Sequence, residues 1–243
     1  MSKINTLCLT LSIVCISIAV IMVFGASLNL WEPIVGFSAS RQYNDTLGYT
    51  ALTVAVITFI INGYNKQKVF NVKPITAFIL GIAILTPSII SLVREPVRYP
   101  PIHDISTDTT NPPKFVFLGD DRPGAKNTLQ YSGQQIAEQQ EQAYPNVKPL
   151  LTSLSTKNAY QKSLLLADKM GWEIVYEDPE KGFLEATAYT AFFHFADDVI
   201  IRVSEQENGS KIDIRSVSRI GRSDRGVNAQ RISTFIGDFK TIK

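Results

Sequence analysis

Cysteine is missing from this 243-residue chain after position 15. The two present, Cys8 and Cys15, lie seven residues apart inside the first apolar stretch, where they read as small apolar side chains on one helix face. The rest of the chain therefore has no disulfide framework, no thiol nucleophile and no thiolate metal site. Histidine is almost as scarce, with His103 and His194 alone. No His/Cys/Asp spacing suits a metal, and no glycine-rich loop suits a phosphate, because the glycines fall singly at turns. Neither a metal nor another cofactor is expected. Charge is missing from three long runs: Ile4–Trp31, Thr46–Asn65 and Pro74–Val93.

Those three runs organise the first part of the chain. About 20 mostly apolar residues cross the roughly 30 Å of a bilayer core as a helix. The sequence predicts spans at about 7–24, 47–63 and 75–93. Lys3 before an apolar run also opens a signal peptide, but this run is too long for a signal core and lacks a small-x-small cleavage site, so it reads as a retained helix. Pro87 lies inside the third span and is expected to kink it, with neighbouring helices serving the freed carbonyl. No Asp, Glu, Lys, Arg or His lies within a span. Intramembrane ionisable groups mark proton and ion pathways, so the helices read as an anchor or scaffold.

The charge that remains is unevenly placed. Residues 1–93 hold five basic and two acidic side chains, and 94–243 hold 19 basic and 20 acidic. A nucleic-acid-binding domain would be clearly basic, so no nucleic-acid partner is expected. Lys66, Lys68 and Lys73 in the second short loop, with Lys3, mark the cytoplasmic side by the positive-inside rule. Three spans then put residues 94–243 on the opposite face, in the periplasm or exterior of a bacterium or the lumen of an organelle, although Arg94 and Arg98 oppose that placement. The sequons at Asn44 and Asn208 would accept glycans only in a eukaryotic secretory route.

The expected domains are 1–95, the three-helix membrane region; 96–150, an extended proline-rich segment with a short polar helix at 133–143; and 151–243, a soluble core. Ser155 or Thr156 caps a predicted helix that buries Ala159, Tyr160, Leu164, Ala167 and Met170 and stops at Gly171. Runs 172–177 and 183–189 read as strands joined by a turn-forming Asp-Pro-Glu-Lys-Gly, and 199–204 and 211–218 as a second hairpin over Glu207-Asn208-Gly209. Val227, Ile232, Phe235, Ile236, Phe239 and Ile242 recur at helical spacing. This order predicts an α+β class: a mostly antiparallel sheet with helices packed on one face.

Five arginines crowd positions 215–231: Arg215, Arg219, Arg222, Arg225 and Arg231. Residues 211–243 carry eight basic and three acidic side chains. Guanidinium groups beside a helix N-terminus can hold a phosphate, sulfate or carboxylate through bidentate bonds and backbone amides. Equally, they can pair with the domain's own acids, Asp197, Asp198, Glu185 and Asp104, and pin loops together. Both readings stay open.

At these residues the chain resembles a known family, the uncharacterised DUF family numbered 1499, over roughly 98–240. The resemblance rests on His103-Asp104-Ile105-Ser106-Thr107 with Pro112-Pro113, on Tyr144-Pro145, Gly171-Trp172, Glu185-Ala186 and Asp197-Asp198, and on the run from Arg215-Ser216 through Gly221, Ser223-Asp224, Gly226, Asn228 and Arg231-Ile232. It implies a membrane-tethered or exported domain of bacteria and plastids, brings no activity, and implies that the His103 segment and the arginine run could meet on one surface.

The site expected from sequence is therefore an anion- or partner-binding surface of His103, Asp104, Glu185, Arg215, Arg219, Arg222, Asp224, Asn228 and Arg231. The expected partners are the membrane itself, an anionic small molecule or lipid headgroup, and a membrane protein. The alternative is a cell-envelope enzyme, a hydrolase using Glu185 or His103. No catalytic residue is assigned.

Overall fold

The computed structural model describes residues 2–65, 71–95 and 97–241. Lys66, Lys68 and Ile242 lie outside the described residues. The chain divides into two compact units, Met1–Val97 with Ala191–His194, and Arg98–Thr190 with Phe195–Lys243.

The first unit holds α1 (Ser2–Phe24), α2 (Pro33–Tyr64) and α3 (Val72–Val93). Each is long and apolar enough to cross a membrane, which associates the chain with one. Helix α2 starts at Pro33, a residue suited to the first helical position, so the chain turns helical well before the charge-free run at 46–65. The three helices pack pairwise around Cys15, Ala19, Met22, Ala51 and Ile84, and around Cys8, Ala55 and Ala77. Gly81 lets α3 lie close on α2: a Cβ there would sit 2.8 Å from Leu52 Cγ. Buried Asn62 donates to Asn5 across α2 and α1 at 3.0 Å. Pro87 stays within α3, and Asn44 of α2 donates to the Ile84 carbonyl one turn earlier at 2.7 Å. A neighbour thus serves a carbonyl beside the proline, as lipid demands.

The second unit has a six-stranded, wholly antiparallel sheet. Its strands are β1 (Asp104–Ser106), β2 (Leu150–Thr152), β3 (Glu173–Asp178), β4 (Phe183–Tyr189), β5 (Ala196–Gln206) and β6 (Gly209–Ser218). The order is β1-β6-β5-β4-β3, with β2 also on β6. Helices α4 (Gln134–Ala143), α5 (Thr156–Lys169) and α6 (Val227–Thr241) complete it. The α+β expectation holds, and the two longer hairpins lie where period-2 patterning put them. The short β1 and β2 are additions. Proline and polar residues around them hide their pattern, and each is only three residues long.

Strand residues alternate between faces, so the sheet has two distinct sides. One is apolar. Ile105, Leu184, Val199, Ile201, Ile212 and Ile214 pack there with Ala159, Leu166 and Ala167 of α5 and Ile232, Phe235 and Phe239 of α6. Trp172 stacks on Phe235 at 5.5 Å. Ser155 accepts from Asn158 N at the start of α5, and Gly171, with φ of +72°, takes the left-handed conformation just past its end.

The opposite side is charged. Asp104, Glu185, Asp198, Asp213 and Arg215 all lie on it and all are buried. What buries them is an irregular strap, residues 107–133, laid across the strands from Lys211 on β6 to Tyr176 on β3, where Phe117 stacks on the tyrosine at 5.6 Å.

Candidate functional site

The geometry of the charged side follows from what each carboxylate holds. Glu185 accepts the backbone N–H groups of Val116, Phe117 (3.0 Å) and Leu118 (2.8 Å). Both of its oxygens thus clamp three consecutive strap amides. Arg215 meets Asp104 in a two-pronged pair, Nε to Oδ1 at 2.8 Å and Nη2 to Oδ2 at 2.7 Å. It also donates to the carbonyls of Pro113 (3.1 Å) and Leu129 (2.7 Å), and lies between the rings of Phe115 and Tyr131 at 5.5 and 5.3 Å. A flat, delocalised cation suits that sandwich better than an ammonium does.

Asp197 and Asp198 are adjacent in sequence, so the pleat sends them to opposite sides. Asp198 faces the strap, where Arg122 and Arg219 (2.8 Å) hold it and Thr187 donates to it at 3.2 Å. Asp197 faces α6, where Arg231 meets it at 2.5 Å. At the far end of β6, Asp213 takes Arg202 (2.8 Å) and Lys211 (3.1 Å), and Lys211 reaches Asp108 of the strap at 3.0 Å. Burial alone would raise the Asp108 pKa. The Asn111 N–H, Lys211 and then Arg202 outweigh that and hold it below its ordinary value.

The turn before α6 is built on Asp224. Its carboxylate accepts Gly226 N and Asn228 N, each at 2.9 Å, and so caps the helix. Burial pushes the Asp224 pKa up against those two N–H bonds. Asn228 reaches from α6 to the His103 carbonyl (3.0 Å) and Ser218 Oγ (3.0 Å), and accepts from Ser216 Oγ at 2.7 Å. The pairing of β1 with β6 brings the His103 segment against the arginine run, and Ser218 N also bonds the His103 carbonyl at 2.9 Å. Among the described residues the His103 ring makes no hydrogen bond, and Arg222 is exposed with no ion pair. Arg225, exposed with φ of +53°, follows on the same turn.

The nine residues expected from sequence are thus distributed over three places. Asp104, Glu185, Arg215 and Arg219 hold the strap. Asp224, Asn228 and Arg231 fix the start of α6 to the sheet. Arg222 faces solvent, and His103 contributes its carbonyl. Sequence reasoning missed Arg122, whose guanidinium is buried on Asp198. Its signal was an arginine flanked by turn formers, in Asp120-Asp121-Arg122-Pro123-Gly124, facing a surplus of acids on distant strands.

One cleft, of about 560 Å³, lies beside this turn. Tyr99, the end of α4 with Tyr144–Val147, and the first turns of α6 line it. The Tyr144 hydroxyl is buried and has no hydrogen-bond partner among the described residues.

No curated protein matches the chain. The family described as protein of unknown function DUF1499 matches residues 104–239, from the first residue of β1 into the last turn of α6. The match takes in the strap, every strand and the capped turn, and it covers more than half of the chain, which therefore belongs to the DUF1499 family.

Proposed function

We propose that this protein is a membrane-anchored binding or assembly module, whose second unit lies outside the cytoplasm and engages an anionic ligand or a protein partner. One observation carries the reading. The carboxylates and guanidiniums that chemistry could use are engaged within the domain: Glu185 by three amides, Asp104 by Arg215, Asp198 by Arg122 and Arg219, Asp197 by Arg231. Arg222 is exposed and makes no ion pair among the described residues, on the turn that leads into α6. A domain whose acids are tied internally and whose Arg222 faces solvent fits recognition better than turnover. The extracytoplasmic placement is supported by the lysines at 3, 66, 68 and 73.

Thermal unfolding of the full chain in detergent, against anionic headgroups, phosphates and sugar acids, tests this. A ligand at 100 times its Kd adds about 2.7 kcal/mol to the folded form. The expected result is a shift with at least one anion, lost in Arg222→Ala while the unliganded midpoint stays put. If no anion shifts the midpoint and a photo-crosslinker at position 222 captures nothing in native membranes, the reading is wrong. Placement is checked separately, by labelling Asn208→Cys at the exposed β5–β6 turn with a membrane-impermeant maleimide on intact cells.

A further inference from the structure

The loop between β4 and β5 puts two bulky residues where glycine is usual. Phe193 and His194 are consecutive and both left-handed, with φ of +63° and +56°. Large side chains rarely take that conformation, and it persists only where the surroundings enforce it. The base of the loop is closed. Thr190 N donates to the Phe195 carbonyl and Phe195 N donates to Thr190 Oγ, each at 2.9 Å. Between these bonds stands a four-residue tip, Ala191–His194, which belongs to the helical unit.

Within that unit the tip sits at one end of α1. Phe193 N donates to the Val23 carbonyl at 3.0 Å. The Phe192 ring lies 6.1 Å from that of Phe24, and Phe193 meets Phe37 of α2 edge-on at 5.3 Å. Helix α1 has 23 residues. At 1.5 Å each they span about 34 Å, close to the roughly 30 Å of a bilayer core. Val23 and Phe24, at its end, therefore reach the boundary between acyl chains and headgroups, and rings packed on them lie at that level.

The chemistry at this level suits lipid. Phe192 is 62% exposed, and Leu28, Leu30, Ile34 and Val35, in the α1–α2 turn and the start of α2, are exposed as well. They continue the apolar surface that Ile18, Ile21 and Phe24 of α1 present to the acyl chains. A cation completes the set. Arg41 is exposed, lies over the Phe37 ring at 5.9 Å and makes no ion pair among the described residues. Asp45, one turn further along α2, is taken up by Ser88. A guanidinium is well suited to a phosphate oxygen pair. Aromatic and basic side chains at the ends of spans are the usual interfacial anchors. We propose that the β4–β5 tip, with Phe37 and Arg41 of α2, is a lipid-interface anchor: Phe192 enters the outer part of the acyl layer, and Arg41 pairs with the phosphates of lipid headgroups. This anchor adds a second hold on the bilayer to the three spans and stands apart from the anion- or partner-binding reading.

The test is fluorescence of Phe192→Trp in the full chain, reconstituted in vesicles of phosphatidylethanolamine and phosphatidylglycerol. A Trp31→Phe background leaves the buried Trp172 as the one other indole, and the same chain without Phe192→Trp supplies its signal for subtraction. The position is exposed and stays aromatic, and the urea midpoint read from Trp172 confirms that the second unit is unchanged. The added emission should be blue-shifted. Lipids brominated near the headgroup end of their chains should remove more than half of it, lipids brominated at the bilayer centre clearly less, and iodide in the water little. Arg41→Gln should weaken the shallow quenching, and Arg41→Lys should keep it. Strong quenching by iodide with no effect of bromine would put the tip in water and overturn the proposal. Quenching by neither would mean that protein covers the tip, which overturns it in favour of a second copy or another membrane protein. Full shallow quenching in Arg41→Gln would overturn the pairing with phosphate.

Discussion

Arg215→Met should be among the most damaging single substitutions in the second unit. Arg215 is buried, and its removal leaves the Asp104 carboxylate without its cation and the carbonyls of Pro113 and Leu129 without their donors. Breaking one side of a buried ion pair costs about 3–5 kcal/mol. For a domain of this size that is a fall of roughly 6–20 °C in midpoint, and a large part of the ~5–15 kcal/mol that holds a typical domain together. The double change Asp104→Leu with Arg215→Met removes the stranded charge as well and should recover most of the loss, because an apolar pair of similar volume often replaces a buried ion pair at little cost. The assay is urea unfolding followed by Trp172, stacked on Phe235, in a Trp31→Phe background so that only the second unit reports. A single variant that loses less than about 1 kcal/mol, or a double variant no better than the single, would refute the claim that an uncompensated buried carboxylate dominates the energetics here.

Further outcomes follow from the same geometry. Glu185→Gln keeps the side-chain shape but withdraws one acceptor oxygen from three amides, so it should cost about 1–3 kcal/mol. Hydrogen exchange should speed at Val116–Leu118 while β4 and β5 stay protected. Asp108 is held below its ordinary 3.8, so its pairing stabilises the fold above that pH and is lost as pH falls through the lowered value. Lys211→Met should therefore flatten the acid limb of stability measured from pH 5 down to 2.5, and an unchanged slope would show that Lys211 is not what holds Asp108 down. Gly226→Ala forces a side chain into a left-handed turn and against Tyr99, which should cost about 1–3 kcal/mol in the urea unfolding reported by Trp172. In the first unit, Gly81→Leu should separate α3 from α2 and lower resistance to unfolding in SDS, leaving the urea midpoint reported by Trp172 unchanged.

The sequence made some of this legible and hid the rest for physical reasons. Periodicity is a local signal, so the apolar spans, the hairpin over Glu207-Asn208-Gly209, the α5 cap at Ser155 and the apolar stripe of α6 could all be read from neighbours along the chain. Leu166 shows the tolerance of such readings: it is buried on α5, while Leu164 and Met170, expected there, are only partly so. The charged side of the sheet could not be read in this way. Arg215 finds Asp104 across 111 residues and Arg122 finds Asp198 across 76, and nothing near either arginine names its partner. The sequence did pose the right alternative, internal pairing or an anion site, because it held both the arginines and the acids. Choosing between them needed the pleat, which separates Asp197 from Asp198, and the strap, whose path through proline and glycine follows no period.

The placement of β1 has a consequence for the order in which the second unit assembles. Asp104 belongs to the first strand made, and its cation belongs to the last, with Ser216 and Val217 as neighbours in the ladder. At translation rates of roughly 5–20 residues per second, Arg215 emerges about 6–22 s after Asp104. Until then β1 has no strand to pair with, and the strap has no Arg215 to order it. The sheet therefore cannot close from its first strand onward as the chain appears. The β3–β4 hairpin has both its strands long before that, whereas β1, the oldest strand of the domain, has to wait for β6. A chain cut short before β6 would leave the strap and its charges open to water, a state that proteases and chaperones recognise.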